Sequence, residues 1–299
     1  MWFVYSVITL LLWALADLFY KKGAKEKDKY SHLKTGIMVG FVMGIYATIY
    51  ILVKDVKFEI MDIIKYLPVS LFYITSMIIG YKGLRYIELS ISSPIQNCSG
   101  VITSLLLLII FKEALSILDI IGIVIIFIGV LILSIIEKND KKEKKIDSKK
   151  IIGIVALIFP ILYCVLDGMG TFLDAIYLDK LELITEDVAL IAYEYTFFIY
   201  GLILFIYLKF IKKEKFILRD EKDRIGASIF ETIGQFFYVF AVSSNSTLSI
   251  PIIASYSIVS VLLSRIFLKE KLSRNEYIAI FIVLLGIVIL GISEGINSI

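Results

Sequence analysis

The chain is short of the residues that most metal sites, redox centres and nucleotide-binding loops require. Its single histidine, His32, lies in a lysine-rich loop, so a histidine-based metal site is not expected. Both cysteines, Cys98 and Cys164, fall inside apolar runs, where cysteine packs as a small apolar residue. No glycine-rich phosphate-binding loop is present, which argues against direct ATP hydrolysis. We therefore expect no cofactor and no metal.

Charge is also sparse, and its pattern excludes another class of protein. Charged residues make up 20% of the chain and the net charge is +3. No basic stripe is interleaved with aromatic residues, so nucleic acid is not an expected partner. The N-terminus has no basic n-region typical of a signal peptide, and we expect the first apolar run to be a mature membrane span.

What the chain has in abundance is apolar residues in long runs. They make up 59% of 299 positions, and the mean hydropathy is +0.89. Runs of about 18–22 apolar residues cross a ~30 Å hydrocarbon core, and in lipid such runs must be helices. The sequence predicts an all-α integral membrane protein, multi-pass in the cell membrane, with about ten transmembrane helices. The predicted spans are residues 2–20, 34–53, 67–83, 88–111, 115–136, 151–173, 187–208, 225–243, 248–268 and 275–293.

The chain also repeats itself. Ser92-Ser93-Pro94-Ile95 and the later Lys112-Glu113-Ala114-Leu115-Ser116 recur 157 positions on as Ser249-Ile250-Pro251-Ile252 and Lys269-Glu270-Lys271-Leu272-Ser273. We expect each proline, Pro94 and Pro251, in the first turn of its helix. The lysine-rich segment 137–150 separates a first five-helix repeat, 1–136, from a second, 151–299. Because five is odd, the second copy enters the membrane inverted, an architecture typical of transporters with a site where the repeats meet.

These two segments carry a family resemblance. The span that ends in Phe111-Lys112-Glu113 or Leu268-Lys269-Glu270, the tight turn and the glycine-containing span that follow resemble the EamA-type members of the drug/metabolite transporter superfamily. Trp13 and Tyr163 stand where that family often has an aromatic residue. The resemblance covers nearly the whole chain and implies a transporter fold.

Two predictions of orientation disagree. Loops after odd-numbered predicted spans hold most of the lysines and arginines, and such loops stay cytoplasmic. This charge pattern places both termini outside the cell. The family resemblance instead implies that both termini are cytoplasmic.

Four acids fall inside predicted spans: Asp17, Asp167, Glu194 and Glu231. A charge there costs at least about 2.5 kcal/mol, so each is a candidate functional group. No lysine or arginine lies in a span interior to pair with them. Such an acid can bind and release a proton, and Glu194, Glu231 and Asp167 are the candidates for proton coupling. It can also receive a cationic or amine-bearing solute. The alternative for each is a place at the membrane interface.

Aromatic residues accompany two of the acids. Trp13 precedes Asp17 by one helical turn, and Tyr163 precedes Asp167 in the same way, which puts an aromatic wall beside each carboxylate. Aromatic residues near span ends also serve as interfacial anchors, which is the alternative interpretation.

Amide and hydroxyl side chains complete the candidate site. Gln235 and Tyr238 share a helix face with Glu231, and spans four and nine carry further polar residues that can line a path or join helices. The predicted substrate-binding residues are Trp13, Asp17, Gln96, Asn97, Tyr163, Asp167, Glu194, Glu231, Gln235, Tyr238 and Tyr256.

The sequence thus favours a secondary transporter of a small polar metabolite (an amino acid, an amine or a drug-like cation), with proton-coupled export as the candidate mode. Within transport, the alternative is a flippase or transporter for a lipid- or nucleotide-linked sugar, an anion that would require cavity cations. Outside transport, the alternatives are a membrane-embedded enzyme and a non-transporting sensor or assembly subunit. The expected partners are a small-molecule substrate, the lipid bilayer and protons, and the chain is a monomer or a homodimer.

Overall fold

The computed structural model describes residues 1–25, 27–112, 115–140, 156–270 and 273–297. Residues 141–150 of the predicted linker and 151–155 of the sixth predicted span lie outside the described residues. So do parts of the repeated turn segments, namely Glu113, Ala114, Lys271 and Leu272.

Helices make up nearly all of the described chain, which contains no strand. They follow the apolar runs because a helix satisfies its own backbone hydrogen bonds. The helices are α1 (Trp2–Gly23), α2 (Ser31–Lys54), α3 (Ile60–Gly83), α4 (Leu89–Phe111), α5 (Ile117–Asp140), α6 (Ile158–Ala175), α7 (Glu186–Ile206), α8 (Lys222–Ala254), α9 (Tyr256–Leu263) and α10 (Arg274–Asn297). Single wide turns extend α6 to Lys180, α7 to Ile211 and α9 to Leu268.

Seven helical stretches of the described residues are long and apolar enough to cross a membrane. One of them, Leu218–Leu268, has 51 residues, about twice the length that one crossing requires. Two shorter apolar helices, Ile117–Val130 and Tyr277–Ser293, accompany them. The composition and these lengths define a multi-pass membrane protein.

The predicted eighth and ninth spans meet at Asn245, inside α8. The backbone of Asn245 is extended (φ −169°, ψ 90°), and its Oδ1 accepts the Leu248 N–H at 3.0 Å. Asp179, from the turn that follows α6, accepts the Ser246 N–H at 2.9 Å. A side chain that accepts early N–H groups caps a helix, so a new helical segment begins at Ser246.

The two repeated segments have matching local structure. α4 begins at Leu89, and the segment after Asn245 begins 157 positions later at Ser246. Lys112 and Lys269, also 157 apart, both end their helices in the left-handed conformation, with φ of 50° and 58°. The expectation for Pro94 and Pro251 is wrong: each lies in the second turn, where its ring displaces the hydrogen bond to the carbonyl four residues earlier.

Helices from the two ends of the sequence pack against each other. α1 packs along α8, α2 along α7 and α5 along α10, while α6 lies against both α3 and α4. Glycines permit the close approach of α2 and α7: a Cβ on Gly40 would stand 2.5 Å from the carbonyl oxygen of Phe197. The central helices therefore carry residues of both sequence halves to one interior.

The connections after α1, α3 and α7 lie together at one end of the bundle, which we call the basic end. Lys21 donates from Nζ to the carbonyls of Leu84 and Ile87 at 2.8 and 2.6 Å. Arg85 donates to the Lys29 carbonyl at 3.0 Å. These three lysine- and arginine-rich connections thus share one end, as the charge pattern in the sequence predicts.

A buried charge cluster closes this end. Arg224, 1% exposed, pairs with Glu221 and donates to Ser31 Oγ at 2.8 Å. Lys34 Nζ lies 3.0 Å from an Asp28 carboxylate oxygen and 3.4 Å from one of Glu214. Burial opposes ionisation of Asp28, but the hydrogen bond and charge of Lys34, with the Tyr30 N–H and the Arg224 charge, outweigh it and hold the Asp28 pKa below its usual range.

We expect Asp28→Asn to lower the melting temperature at neutral pH by about 2–4 °C or less, because a partly exposed ion pair contributes little. The folded pKa of Asp28 lies below its unfolded value, so its contribution is present above the unfolded value and is lost as pH falls through the folded one. The gap between variant and wild type, measured by thermal unfolding in detergent, should therefore close in acid. Asp220→Asn is the control. A gap that stays constant with pH would contradict the ion pair.

Candidate functional site

A cavity lies where α1, α3, α4, α6 and α8 meet, near the middle of the bundle. The space open to the centre of a water molecule is about 70 Å³, enough for on the order of five waters or one small solute. Its lining residues are Trp13, Asp17, Tyr20, Tyr73, Met77, Gly80, Tyr81, Leu84, Gln96, Asn97, Ser99, Gly100, Tyr163, Asp167, Thr171, Tyr193, Glu231, Gln235, Tyr238, Ile250, Ile253, Ala254 and Tyr256.

The cavity brings together ten of the eleven residues predicted as substrate-binding. They come from both sequence halves and from five helices. They are Trp13, Asp17, Gln96, Asn97, Tyr163, Asp167, Glu231, Gln235, Tyr238 and Tyr256. Glu194 is the predicted residue that does not line it.

Asp17 is held by hydroxyls from two other helices. Its Oδ2 accepts from Ser93 Oγ on α4 at 2.6 Å and from Ser260 Oγ on α9 at 2.8 Å. Asp17 is only 8% exposed, so its side chain is buried in the bundle and does not lie at a solvent-exposed interface. These two bonds fix the carboxylate and tie α1 to helices of both halves.

Asp167 has a similar environment on the other side of the cavity. Its Oδ2 accepts from Ser99 Oγ at 2.7 Å, again a hydroxyl of α4. One residue along, the Gly168 carbonyl accepts from Thr103 Oγ1 at 2.9 Å. Hydroxyl donors thus orient both aspartates without neutralising their charge.

Glu231 is the third acid of the cavity. It lies on α8, 8% exposed, where its carboxylate interacts electrostatically with those of Asp17 and Asp167. Trp13 donates from Nε1 to the Glu231 backbone carbonyl at 3.4 Å, which fixes the indole against α8. Three like-charged groups in one apolar enclosure repel each other, so the site favours protons or a cation among them.

Aromatic rings form the cavity walls. The rings of Trp13 and Tyr238 stack with centroids 5.0 Å apart, and Tyr256 meets Trp13 edge-on at 5.9 Å. Aromatic faces attract cations, and more strongly where water is excluded. Among the residues that line the cavity in the described chain there is no lysine or arginine.

A polar cluster that the sequence reasoning missed adjoins one end of the cavity. Asp174, fully buried on α6, accepts from the Tyr66 hydroxyl and, at 3.4 Å, from that of Tyr73. The Tyr73 and Tyr238 hydroxyls are 2.6 Å apart. Asp174 lies two turns after Asp167 on the same helix face, and this spacing could have placed it beside the cavity. It was missed because the predicted span ended at residue 173. The tyrosines Tyr20, Tyr81 and Tyr193 of the lining were also missed.

Glu194 occupies a separate, buried environment on α7, beside α2. It is 0% exposed, and neither carboxylate oxygen has a hydrogen-bond partner within the described residues. Tyr46 and Tyr50 of α2 and the adjacent Tyr193 are close enough to interact electrostatically with it. A bare carboxylate in such surroundings is stable only when it carries a proton or a cation.

Metal chemistry finds no support at these sites. Across the described ranges, no group of three or more histidine, cysteine, aspartate or glutamate side chains is placed to hold a metal ion. The cavity acids are instead arranged around space that a solute can enter.

A polytopic helical bundle with an enclosed, acid-lined cavity between its halves is the arrangement of a membrane transporter. The sequence profile of the EamA-like transporter family matches residues 1–135 and 183–292, and the chain belongs to this family. One solved crystal structure superposes with a TM-score of 0.64 at 12% identity, covering 96% of this chain and 95% of its own. That likeness concerns the fold alone. No curated protein sequence matches the chain.

We expect Asp174→Ala to lower the free energy of unfolding by about 2–4 kcal/mol, because it leaves the buried hydroxyls of Tyr66 and Tyr73 without their acceptor. Tyr66→Phe removes a donor and leaves a weaker defect, about 1 kcal/mol. Unfolding of both purified variants in detergent measures the difference. An Asp174→Ala protein as stable as wild type would show that the cluster is not a structural support.

Proposed function

We propose that the chain is a secondary transporter of a small solute that carries an amine or another positive charge, such as an amino acid, a polyamine or a drug-like cation. The observation that carries the proposal is the cavity itself. Asp17, Asp167 and Glu231 surround it, and no lysine or arginine lines it in the described chain. Membership in the EamA-like transporter family supports transport of small substrates.

An inverted repeat of two five-helix halves fits the packing. Exchanging α1 with α6, α2 with α7 and α5 with α10, together with α3 and α4 for the two parts of α8 and α9, maps the main helix packings onto one another. The packing of α1 on α8 corresponds to that of α6 on α3 and α4, and the packing of α2 on α8 to that of α7 on α3. The matching starts at Leu89 and Ser246 and the left-handed ends at Lys112 and Lys269 support the same exchange. On this view there are ten crossings, because α8 and α9 together make two.

The chemistry of the cavity selects the class of substrate. An ammonium group could replace protons among the three carboxylates, and the rings of Trp13 and Tyr256 offer faces to the same charge. A second polar end of the substrate could bond to Gln96, Asn97 or Gln235. The small volume favours a solute of amino-acid size.

Transport requires that the cavity opens at either end in turn. At one end the Tyr73–Tyr238 pair and the Asp174 cluster join α3, α6 and α8. At the basic end, Lys21 holds the connection after α3. We propose that these two sets of contacts break alternately.

Protons are the proposed coupling ion. Glu231 and Asp167 line the cavity, so protons and a cationic solute would compete for them, which is the condition for antiport and export. Glu194 lies outside the cavity and would carry a proton through a second, separate step. On the charge pattern we propose that the termini lie outside the cell and the basic end in the cytoplasm, the reverse of what the family resemblance implies.

The other functions have weaker support. A lipid- or nucleotide-linked sugar is anionic and would meet three carboxylates in the cavity. An embedded hydrolase would need an activated nucleophile, its base and oxyanion donors at matched depth, and membership in the EamA-like transporter family favours transport instead. A sensor or assembly subunit would show no solute flux, which the following experiment decides.

We expect purified protein in liposomes to release internal protons when an amine-bearing solute from a panel of amino acids, polyamines and cationic drugs is added. Asp17→Asn should lower the rate at least about tenfold, since a charge-assisted contact to the substrate is lost. Asp55→Asn, at an exposed helix end, is the matched control. Equal flux in Asp17→Asn and wild type would contradict the proposed site.

We expect Glu194→Gln to keep solute exchange but to lose its dependence on a pH gradient, because glutamine cannot take up a proton. Radiolabelled exchange and gradient-driven flux, measured on the same liposomes, separate the two activities. Full pH-coupled transport by Glu194→Gln would remove Glu194 from the coupling pathway.

A further inference from the structure

A second crevice opens on the outer surface of the bundle between α2 and α7. It is lined almost wholly by apolar side chains, among them Phe41, Ile45, Phe205, Phe216 and Leu218. It is larger than the central cavity and shares no lining residue with it. An apolar crevice of this kind offers water almost no hydrogen-bond partner, so it calls for an apolar occupant.

The crevice runs from the basic end toward the middle of the membrane. Its α2 residues, from Met38 to Ile45, lie seven to fourteen positions after Ser31, where α2 begins. At 1.5 Å per residue this is a depth of about 10–20 Å from the helix start. Ile45 lines the crevice and is 61% exposed, so the crevice opens to lipid at that depth. An acyl chain is the apolar group available at that depth.

The rim of the crevice is positively charged. Five exposed cations lie on the segment that closes the crevice at the basic end. They are Lys209, Lys212, Lys213, Lys215 and Arg219. One exposed acid of this segment, Asp220, stands against these five cations.

Glu214 lies 3.4 Å from Lys34 Nζ, and Glu221 is paired with Arg224. Lys34 also stands 5.9 Å from the centre of the Phe216 ring, at the junction of the charged rim and the apolar floor. Lys34 and Arg224 together offset the acids Asp28, Glu214 and Glu221 to within one charge. The rim therefore presents a net positive charge to the membrane surface, where anionic lipid headgroups lie.

We propose that this crevice binds one anionic phospholipid, with an acyl chain between α2 and α7 and its phosphate among the lysines of residues 209–215. A second copy of the chain is the less suitable occupant. A two-fold contact through this face would bring two identical basic rims together. The bound lipid would brace the α2–α7 pair, which joins the two sequence halves.

The test uses the full-length protein in neutral detergent and does not depend on transport. Dioleoyl phosphatidylglycerol should raise the melting temperature by about 2–4 °C more than dioleoyl phosphatidylcholine, and native mass spectrometry should retain the phosphatidylglycerol adduct. Glycerol 3-phosphate should give no shift, because it lacks the acyl chain. A shift with glycerol 3-phosphate equal to that of the lipid would overturn the proposal in favour of a simple phosphate site.

Two variants separate the crevice from surface charge. The triple variant Lys212→Ser, Lys213→Ser, Lys215→Ser should lose the phosphatidylglycerol shift and adduct. The control, Lys54→Ser, Lys57→Ser, Lys65→Ser, removes three exposed lysines at the opposite end and should keep both.

Ile45→Trp fills the crevice without changing its charge and should also lose the adduct. Equal loss in the two triple variants, or a full adduct in Ile45→Trp, would show adsorption to surface charge and refute the lipid site.

Discussion

The cost of placing charge in a low-dielectric interior governs this structure. Cations stay at the helix ends, where Arg224, Lys34 and Lys21 find carboxylates or carbonyls. The interior aspartates are held by neutral hydroxyls instead, as Ser93 and Ser260 hold Asp17. A hydroxyl orients a carboxylate but leaves its charge in place, so a proton or a cation that enters the cavity would stabilise these carboxylates. This property makes the cavity a candidate binding site.

The same constraint explains why the polar network joins distant parts of the chain. The hydroxyls that bond Asp17, Asp167 and Asp174 lie on other helices, so these bonds join α1 to α4 and α9, and α6 to α3 and α4. Opening the cavity to either side would separate some of these donors from their acceptors. A substrate or proton that enters could offset the loss, and this links occupancy of the site to movement of the helices.

Much of the site was predictable because its signals are local. Trp13 with Asp17, Tyr163 with Asp167, and Glu231 with Gln235 and Tyr238 are helical spacings that put each set on one face. The sequence could not supply the rotation of each helix about its own axis or the residue at which each helix ends. Glu194 looks like its cavity counterparts, but its helix face turns toward α2. Asp174 lay one residue beyond the predicted end of its span, at residue 173. The helix break at Asn245 could not be predicted from the local sequence, because part of the cap comes from Asp179 in the turn that follows α6.

The central claim is that the cavity prefers positive charge, and Trp13 offers a direct report on it. In Trp2→Phe protein Trp13 is the sole tryptophan, and it lines the cavity. Its fluorescence can be titrated with matched solutes of one carbon skeleton that bear an amine, a hydroxyl or a carboxylate. The account predicts a saturable change with the amine, weakened at low pH as protons occupy the acids, and none with the carboxylate. Saturable binding of the carboxylate, or equal responses to all three solutes, would contradict it.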